Sequence, residues 1–168
     1  MEECRLTPVE LYFLGVLLDA EYIDYNYISS IPEIHNNYRV IEQNTLDRLE
    51  DKNYIELDFD GTIIVNEQLE DLLKPVFFGL VECRLITTWS EGNLHVGKGF
   101  MTFISQEHDF YLLEIMNDEK LKELIKEQEL ELHVMNIEKG YYDMSFSEDE
   151  MAQVEFVEKA IQIMKGNW

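Results

Sequence analysis

Residues 81–116 constrain the fold more than any other stretch. Val81-Glu82-Cys83-Arg84-Leu85-Ile86-Thr87-Thr88-Trp89 alternates and is rich in β-formers, a turn follows at Glu91-Gly92-Asn93, and residues 94–105 answer as a second strand. Gly97 and Gly99 inside that strand mark a bulge or a close backbone approach. A loop over residues 106–109 leads into Phe110-Tyr111-Leu112-Leu113-Glu114-Ile115-Met116. Joined by short turns, the three segments predict an antiparallel meander. Downstream, Asn117 or Asp118 caps a helix through Leu121, Leu124 and Ile125. Leu130, Leu132 and Val134 alternate, so residues 130–137 are expected as a strand, although the same residues could extend the preceding helix to a C-cap at Gly140. Ser147-Glu148-Asp149-Glu150 is a capping box that opens a last helix running to about Lys165, with Gly166 beyond it.

Upstream of the meander the pattern is mostly helical. Thr7-Pro8-Val9-Glu10 starts a helix with Thr7 as N-cap, Pro8 where no amide donor is lost, and Glu10 as the carboxylate that reaches back. Apolar residues cover most of the circumference of that helix to Asp19, which predicts a central buried element. Residues 24–30 read as a short helix stopped at Pro32, and residues 38–51 as a helix with Ile41, Thr45, Leu46 and Leu49 on one side. Ile55, Leu57 and Phe59 then alternate with acids up to Asp60-Gly61, which supplies the positive φ of a tight hairpin turn before Thr62-Ile63-Ile64-Val65. Asn66 caps a further helix through Leu69, Leu72 and Leu73, with Pro75 near its end. Helix, helix, hairpin and helix in this order make a winged-helix-like lobe over residues 5–78. The expected fold is therefore α+β: that lobe, followed over residues 79–168 by an antiparallel β-meander with flanking helices and a C-terminal helix, the two forming one compact unit.

Charge narrows the possible partners. In 168 residues, 13 Lys and Arg stand against 35 Asp and Glu, and the resulting net charge of −22 opposes unaided contact with phosphate backbones or anionic lipid. The helix that would read DNA bases carries Glu42, Asp47, Glu50 and Asp51 beside Arg39, Arg48 and Lys52, and the wing carries Glu56, Asp58 and Asp60. Nucleic acid is accordingly not an expected partner, and a scaffold for protein contacts is. The start Met1-Glu2-Glu3-Cys4-Arg5 is acidic where a secretory leader would be basic, and no apolar run approaches the roughly 20 residues that span a bilayer. Cys4 and Cys83 are far apart and lack ligand spacing, so a reduced cytoplasmic setting is expected.

No catalytic or metal motif emerges. His35, His95, His108 and His133 show neither HxH nor HExxH spacing, and His108 falls in a turn. Centring the first hairpin on Gly92 sets Cys83 near Met101 and away from His95, so a Cys–His nucleophile pair gains no support. Asp58 and Asp60 begin like a calcium loop, but the ligand series stops at Gly61. Gly97-Lys98-Gly99 is not a phosphate loop. No cofactor is expected. On the last helix Val154, Val157, Ile161 and Met164 fall at a and d spacing, which reads as core packing, with Phe156, Ile163 and Trp168 as an apolar surplus that a partner could cover.

The order of elements, together with Leu6-Thr7-Pro8-Val9-Glu10-Leu11, the winged region from Leu49-Glu50-Asp51-Lys52-Asn53-Tyr54-Ile55 to Gly61-Thr62-Ile63-Ile64-Val65, and Phe110-Tyr111-Leu112-Leu113-Glu114, resembles the EspG-like accessory proteins of bacterial type VII secretion loci, including an uncharacterised Firmicutes subfamily. The resemblance implies a cytosolic chaperone or targeting factor that holds a secretion substrate or toxin before export, without enzymatic activity. Such a factor would attract a basic effector or toxin through charge complementarity. Its apolar anchors would be Trp89 at the tip of the first hairpin and Phe156, Ile163 and Trp168 at the C-terminal helix. Two alternatives stay open: a winged-helix-type regulator acting through protein or small-ligand contacts, and a small enzyme of unknown reaction.

Overall fold

The computed structural model describes residues 1–20, 37–88, 90–126, 130–146 and 153–167. The protein is mixed α+β. Among the described residues it has five helices, a seven-stranded antiparallel sheet and a separate two-stranded sheet. In chain order the elements are β1 (Glu3–Leu6), α1 (Pro8–Leu17), α2 (Tyr38–Asp51), β2 (Ile55–Leu57), β3 (Ile63–Val65), α3 (Glu67–Phe78), β4 (Val81–Thr87), β5 (Glu91–Val96), β6 (Met101–Glu107), β7 (Phe110–Met116), α4 (Asp118–Ile125), β8 (Leu130–Asn136), β9 (Gly140–Phe146) and α5 (Gln153–Met164). The expected short helix at residues 24–30 and the cap at Ser147-Glu148-Asp149-Glu150 lie outside the described residues.

Local signals set the helix starts. The α1 capping box is closed by Glu10 N donating to Thr7 Oγ1 (3.2 Å) and Thr7 N donating to Glu10 Oε2 (3.0 Å). Glu10 is nevertheless 1% exposed, and Lys52 Nζ at the end of α2 donates to its Oε1 at 2.8 Å. That pair ties the first helix to the second. Asn66 Oδ1 accepts from Gln68 N at the head of α3, and Asn117 Oδ1 accepts from Lys120 N at the head of α4.

The large sheet runs β1-β7-β6-β5-β4-β8-β9. Two of its features differ from the sequence expectation. The first turn does not sit at Glu91-Gly92-Asn93: Thr87 N donates to Ser90 O (2.8 Å) and Ser90 N to Thr87 Oγ1 (3.0 Å), while Gly92 lies within β5 opposite Leu85. Only glycine fits there, because a Cβ at residue 92 would overlap the Phe103 ring and the Ile104 carbonyl. The expected single strand over residues 94–105 is instead two, β5 and β6, divided at a turn where Gly97 N donates to Phe100 O (2.9 Å) and Gly99 holds φ +84°. The meander therefore has four strands, β4 to β7, and Cys83 pairs with Leu94, not near Met101. Residues 130–136 form a strand, as alternation implies. Strands β1 and β9 complete the edges without having been read from the sequence.

Two apolar cores lie on opposite sides of this sheet. In-register partners share a side, so Cys4, Leu113 and Ile104 form one row on the first face. There they meet Leu11 and Leu14 of α1, Leu49 of α2, Ile55 of β2 and Leu69, Leu72 and Leu73 of α3. On the second face Cys83, Leu85, Leu94, Phe103, Leu132 and Val134 pack with Leu121 and Ile125 of α4 and with Val157, Ala160, Ile161, Ile163 and Met164 of α5. Ile163 is 3% exposed, so it is a core residue and not an exposed anchor. The physical reason is that α5 packs on β4, β8 and α4 together, which buries Ile163 beside the seam residues Val157, Ile161 and Met164, while Val154 at the start of the seam stays 74% exposed.

Candidate functional site

The helices of the first face stop half-way across it. α3 packs on β5, β6 and β7, and Thr102 Oγ1 donates to Leu72 O at 2.7 Å beneath it, which seals the β6 end of the row. Beyond β5 the same face carries Glu82, Arg84 and Ile86 of β4, Glu131, His133 and Met135 of β8, and Tyr141, Asp143 and Ser145 of β9, as the strand registers require. No described helix packs there. Where the covered and bare halves meet, the surface is concave, with a cavity volume of about 600 Å³ lined by Glu82, Arg84, Glu91, Asn93, Gln106 and Tyr111 among others.

Two pairs of charged groups on this face are exposed to water. Arg84 Nη2 donates to Glu91 Oε1 across the β4–β5 pair, and both side chains are more than half exposed. His133 Nδ1 lies 2.8 Å from Asp143 Oδ1 across the β8–β9 pair. Exposed ion pairs of this kind contribute about 0–1 kcal/mol each, so they define a charge pattern more than they hold the fold. Glu82, Glu91, Glu131 and Asp143 outnumber Arg84 and His133, and the face presents a net acidic surface.

Other reactive groups serve structure. Burial pushes the Cys4 thiol up to about 12 and the Cys83 thiol higher still, and Cys83 Sγ donates to Met164 O at 3.2 Å on α5. His95 pairs with Glu82 and Cys83 with Leu94, so the side chains of His95 and Cys83 leave opposite sides of the sheet. His108 occupies the β6–β7 turn at φ +54°, where a turn is expected, and His35 lies outside the described residues. Among the described residues no group of three or more His, Cys, Asp or Glu could hold a metal ion. No described helix is long and apolar enough to cross a membrane.

Of the four anchor candidates, Trp89 and Trp168 lie outside the described residues, Phe156 falls in α5, and Ile163 is buried. Sequence reasoning missed two large exposed side chains, Phe59 at 99% and Tyr141 at 80%. Alternation groups Phe59 with Ile55 and Leu57, but of the three only Ile55 is buried, and exposure rises along the strand through Leu57 to Phe59. Tyr141 went unread because β9 did.

Among known proteins, the chain matches no family model and no curated protein.

Proposed function

We propose that this protein is a non-enzymatic, protein-binding chaperone or targeting factor that acts in the cytosol on a basic secreted effector or toxin, in the manner of the EspG-like accessory proteins of type VII secretion loci. The observation that carries the reading is the bare half of the first sheet face, where Glu82, Glu91, Glu131 and Asp143 lie beside the exposed Met135 and Tyr141 on one side of paired strands. A surface of that kind raises the association rate of a cationic partner through long-range attraction, while a few apolar contacts set the lifetime of the complex. In this reading residues 5–78 are a winged-helix-like unit used as scaffold, with the β2–β3 hairpin as its wing.

Pull-down from native cytosol with mass spectrometry, followed by kinetics of the captured partner, tests this. Added salt should slow association more than it speeds dissociation, and Glu131→Lys with Asp143→Lys should weaken capture while leaving the fold intact. A failure to capture any protein, joined to turnover of a metabolite by the pure chain, would replace the reading with the enzyme.

A second reading, a winged-helix-type regulator acting through protein contacts, is favoured by one observation: Phe59 stands wholly exposed at the hairpin tip between Asp58 and Asp60. A partner lost on Phe59→Ala but kept on Glu131→Lys with Asp143→Lys would select it.

A further inference from the structure

The two edges of the large sheet are finished differently. β1 closes one edge with four residues, and its Glu3 and Arg5 are charged, with Arg5 Nε donating to Glu107 Oε2 at 3.1 Å. Short length and charge are the usual means of blunting an edge. β9 closes the other with seven residues, Gly-Tyr-Tyr-Asp-Met-Ser-Phe, which hold a single charge and neither Lys nor Pro. It pairs with β8 in unbroken register from Leu130↔Phe146 to Asn136↔Gly140, so no bulge twists it away. No described strand lies beyond it. An antiparallel edge of this form turns the amide and carbonyl groups of alternate residues outward, a template for one more strand.

We propose that the β9 edge accepts, by strand addition, an extended segment of a protein partner in which cationic and apolar residues alternate. The proposal rests on the reading of a basic protein client and names the form in which that client is held. Charge chooses the occupant. A second copy would bring another chain of net charge −22 to the same edge, with Asp143 as the only charge on each β9, so self-pairing is opposed. The two sides of the sheet set the alternation. On one side an added strand stands about 4.8 Å from Asp143, whose Oδ1 His133 Nδ1 already approaches at 2.8 Å from the β8 side, and about twice that from Glu131, which sits opposite Ser145 on β8. On the other side the guest comes first to Tyr142, which is partly buried against the second core in the row of Val134. Successive residues of the guest thus face the side of Asp143 and the side of Tyr142 in turn, and its main chain supplies the affinity.

The test uses the full chain and synthetic peptides about nine residues long, enough to span β9. One alternates Lys and Val, one alternates Glu and Val, and two are copies of the first methylated on alternate amides, one on the Lys amides and one on the Val amides. The Lys-Val peptide should bind and slow hydrogen exchange across residues 140–146 about tenfold or more. One methylated copy, the one whose blocked amides turn toward β9, should lose about tenfold or more in affinity, and the other should bind like the parent. The Glu-Val peptide should not bind. Equal binding by both methylated copies, with exchange in β9 unchanged, would overturn strand addition yet leave a basic client on the acidic face. Glu-Val binding as tight as Lys-Val would overturn both. No peptide binding, while a basic client is still captured by the full chain, would overturn the edge and keep the client.

Discussion

One register row crosses the whole sheet: Cys4, Leu113, Ile104, Asn93, Arg84, His133 and Asp143, in strand order. Its first three members are buried under α1, α2 and α3, and its last four are polar, with Arg84 and His133 each held by a carboxylate. Every neighbouring pair along the row is antiparallel. What changes is whether a helix covers it, and the residue types follow that cover. The same contrast appears within single strands. β4 and β8, covered on one face only, alternate between buried and more exposed positions. β6 and β7, sandwiched between both helical layers, bury three consecutive residues each, Thr102-Phe103-Ile104 and Tyr111-Leu112-Leu113.

The contrast can be broken first at its two ends. Leu113→Ala removes a fully buried side chain from a packed site and should cost about 3–4 kcal/mol. Arg84→Ala, three strands along the same row, removes one exposed ion pair and should cost less than about 1 kcal/mol. Urea unfolding of both variants checks this. Similar losses would mean that the bare half is part of the core.

Next in size is the link between the helices of the covered half. Lys52→Met strips the nearer cation from the buried Glu10 carboxylate, leaves Arg48 Nε at 3.8 Å, and should cost about 2–3 kcal/mol. The same measurement on Lys74→Met, whose partners Glu70 and Asp71 are half-buried at the surface and whose own ammonium is in water, should give a far smaller loss. A loss at Lys52 as small as that at Lys74 would show that Glu10 is solvated in solution.

The division between covered and bare halves also explains what the sequence could and could not disclose. Elements with their own local signal were legible: the Thr7-Glu10 cap, the Asp60-Gly61 turn, and the one-faced alternation of β8. Strand β5 was misjudged because Gly92 reads as a turn residue until the Phe103 ring, a partner on the next strand, is known to fill its place. Strand β1 is four residues long, and its reason to be a strand is β7, more than a hundred positions away. Ile163 reads as exposed because a helix seam predicts one narrow buried stripe, whereas contact with both the sheet and α4 also buries Ala160 and Ile163 beside it. The bare half of the face was invisible as a unit, since its residues come from β4, β8 and β9 and meet only through register.

Alkaline titration sharpens the comparison of interiors, since Cys4 belongs to one core and Cys83 to the other. Both thiols are raised by desolvation, Cys4 from 9.0 to about 12. The folded protein therefore keeps the proton that the unfolded chain releases. Stability should be unaffected below about pH 9 and should fall as pH rises beyond it, by up to about 1.4 kcal/mol per pH unit for each thiol. Chemical unfolding at pH 8, 9 and 10 reads the slope, and Cys4→Ala with Cys83→Ala should flatten it. Rapid reaction of either thiol with Ellman's reagent in the native protein at pH 8 would show that its core opens.

The smallest effect is expected where the covering layer runs out. Gly61 holds φ +85° in the β2–β3 turn, fixed by Gly61 N donating to Asp58 O (2.9 Å) and Thr62 N donating to Asp60 Oδ1 (2.9 Å). Nothing lies within 4 Å of a Cβ placed there, so Gly61→Val creates no clash and acts through backbone conformation alone. A β-branched residue in the left-handed region costs about 1–2 kcal/mol, and the stiffer unfolded chain offsets roughly half of that. The net loss of about 1 kcal/mol should lower the melting temperature by about 2–4 °C. Phe59→Ala, two residues away and wholly exposed, should leave the melting temperature where it was. If Phe59→Ala instead destabilises more than Gly61→Val, the hairpin tip is packed in solution and belongs to the covered half.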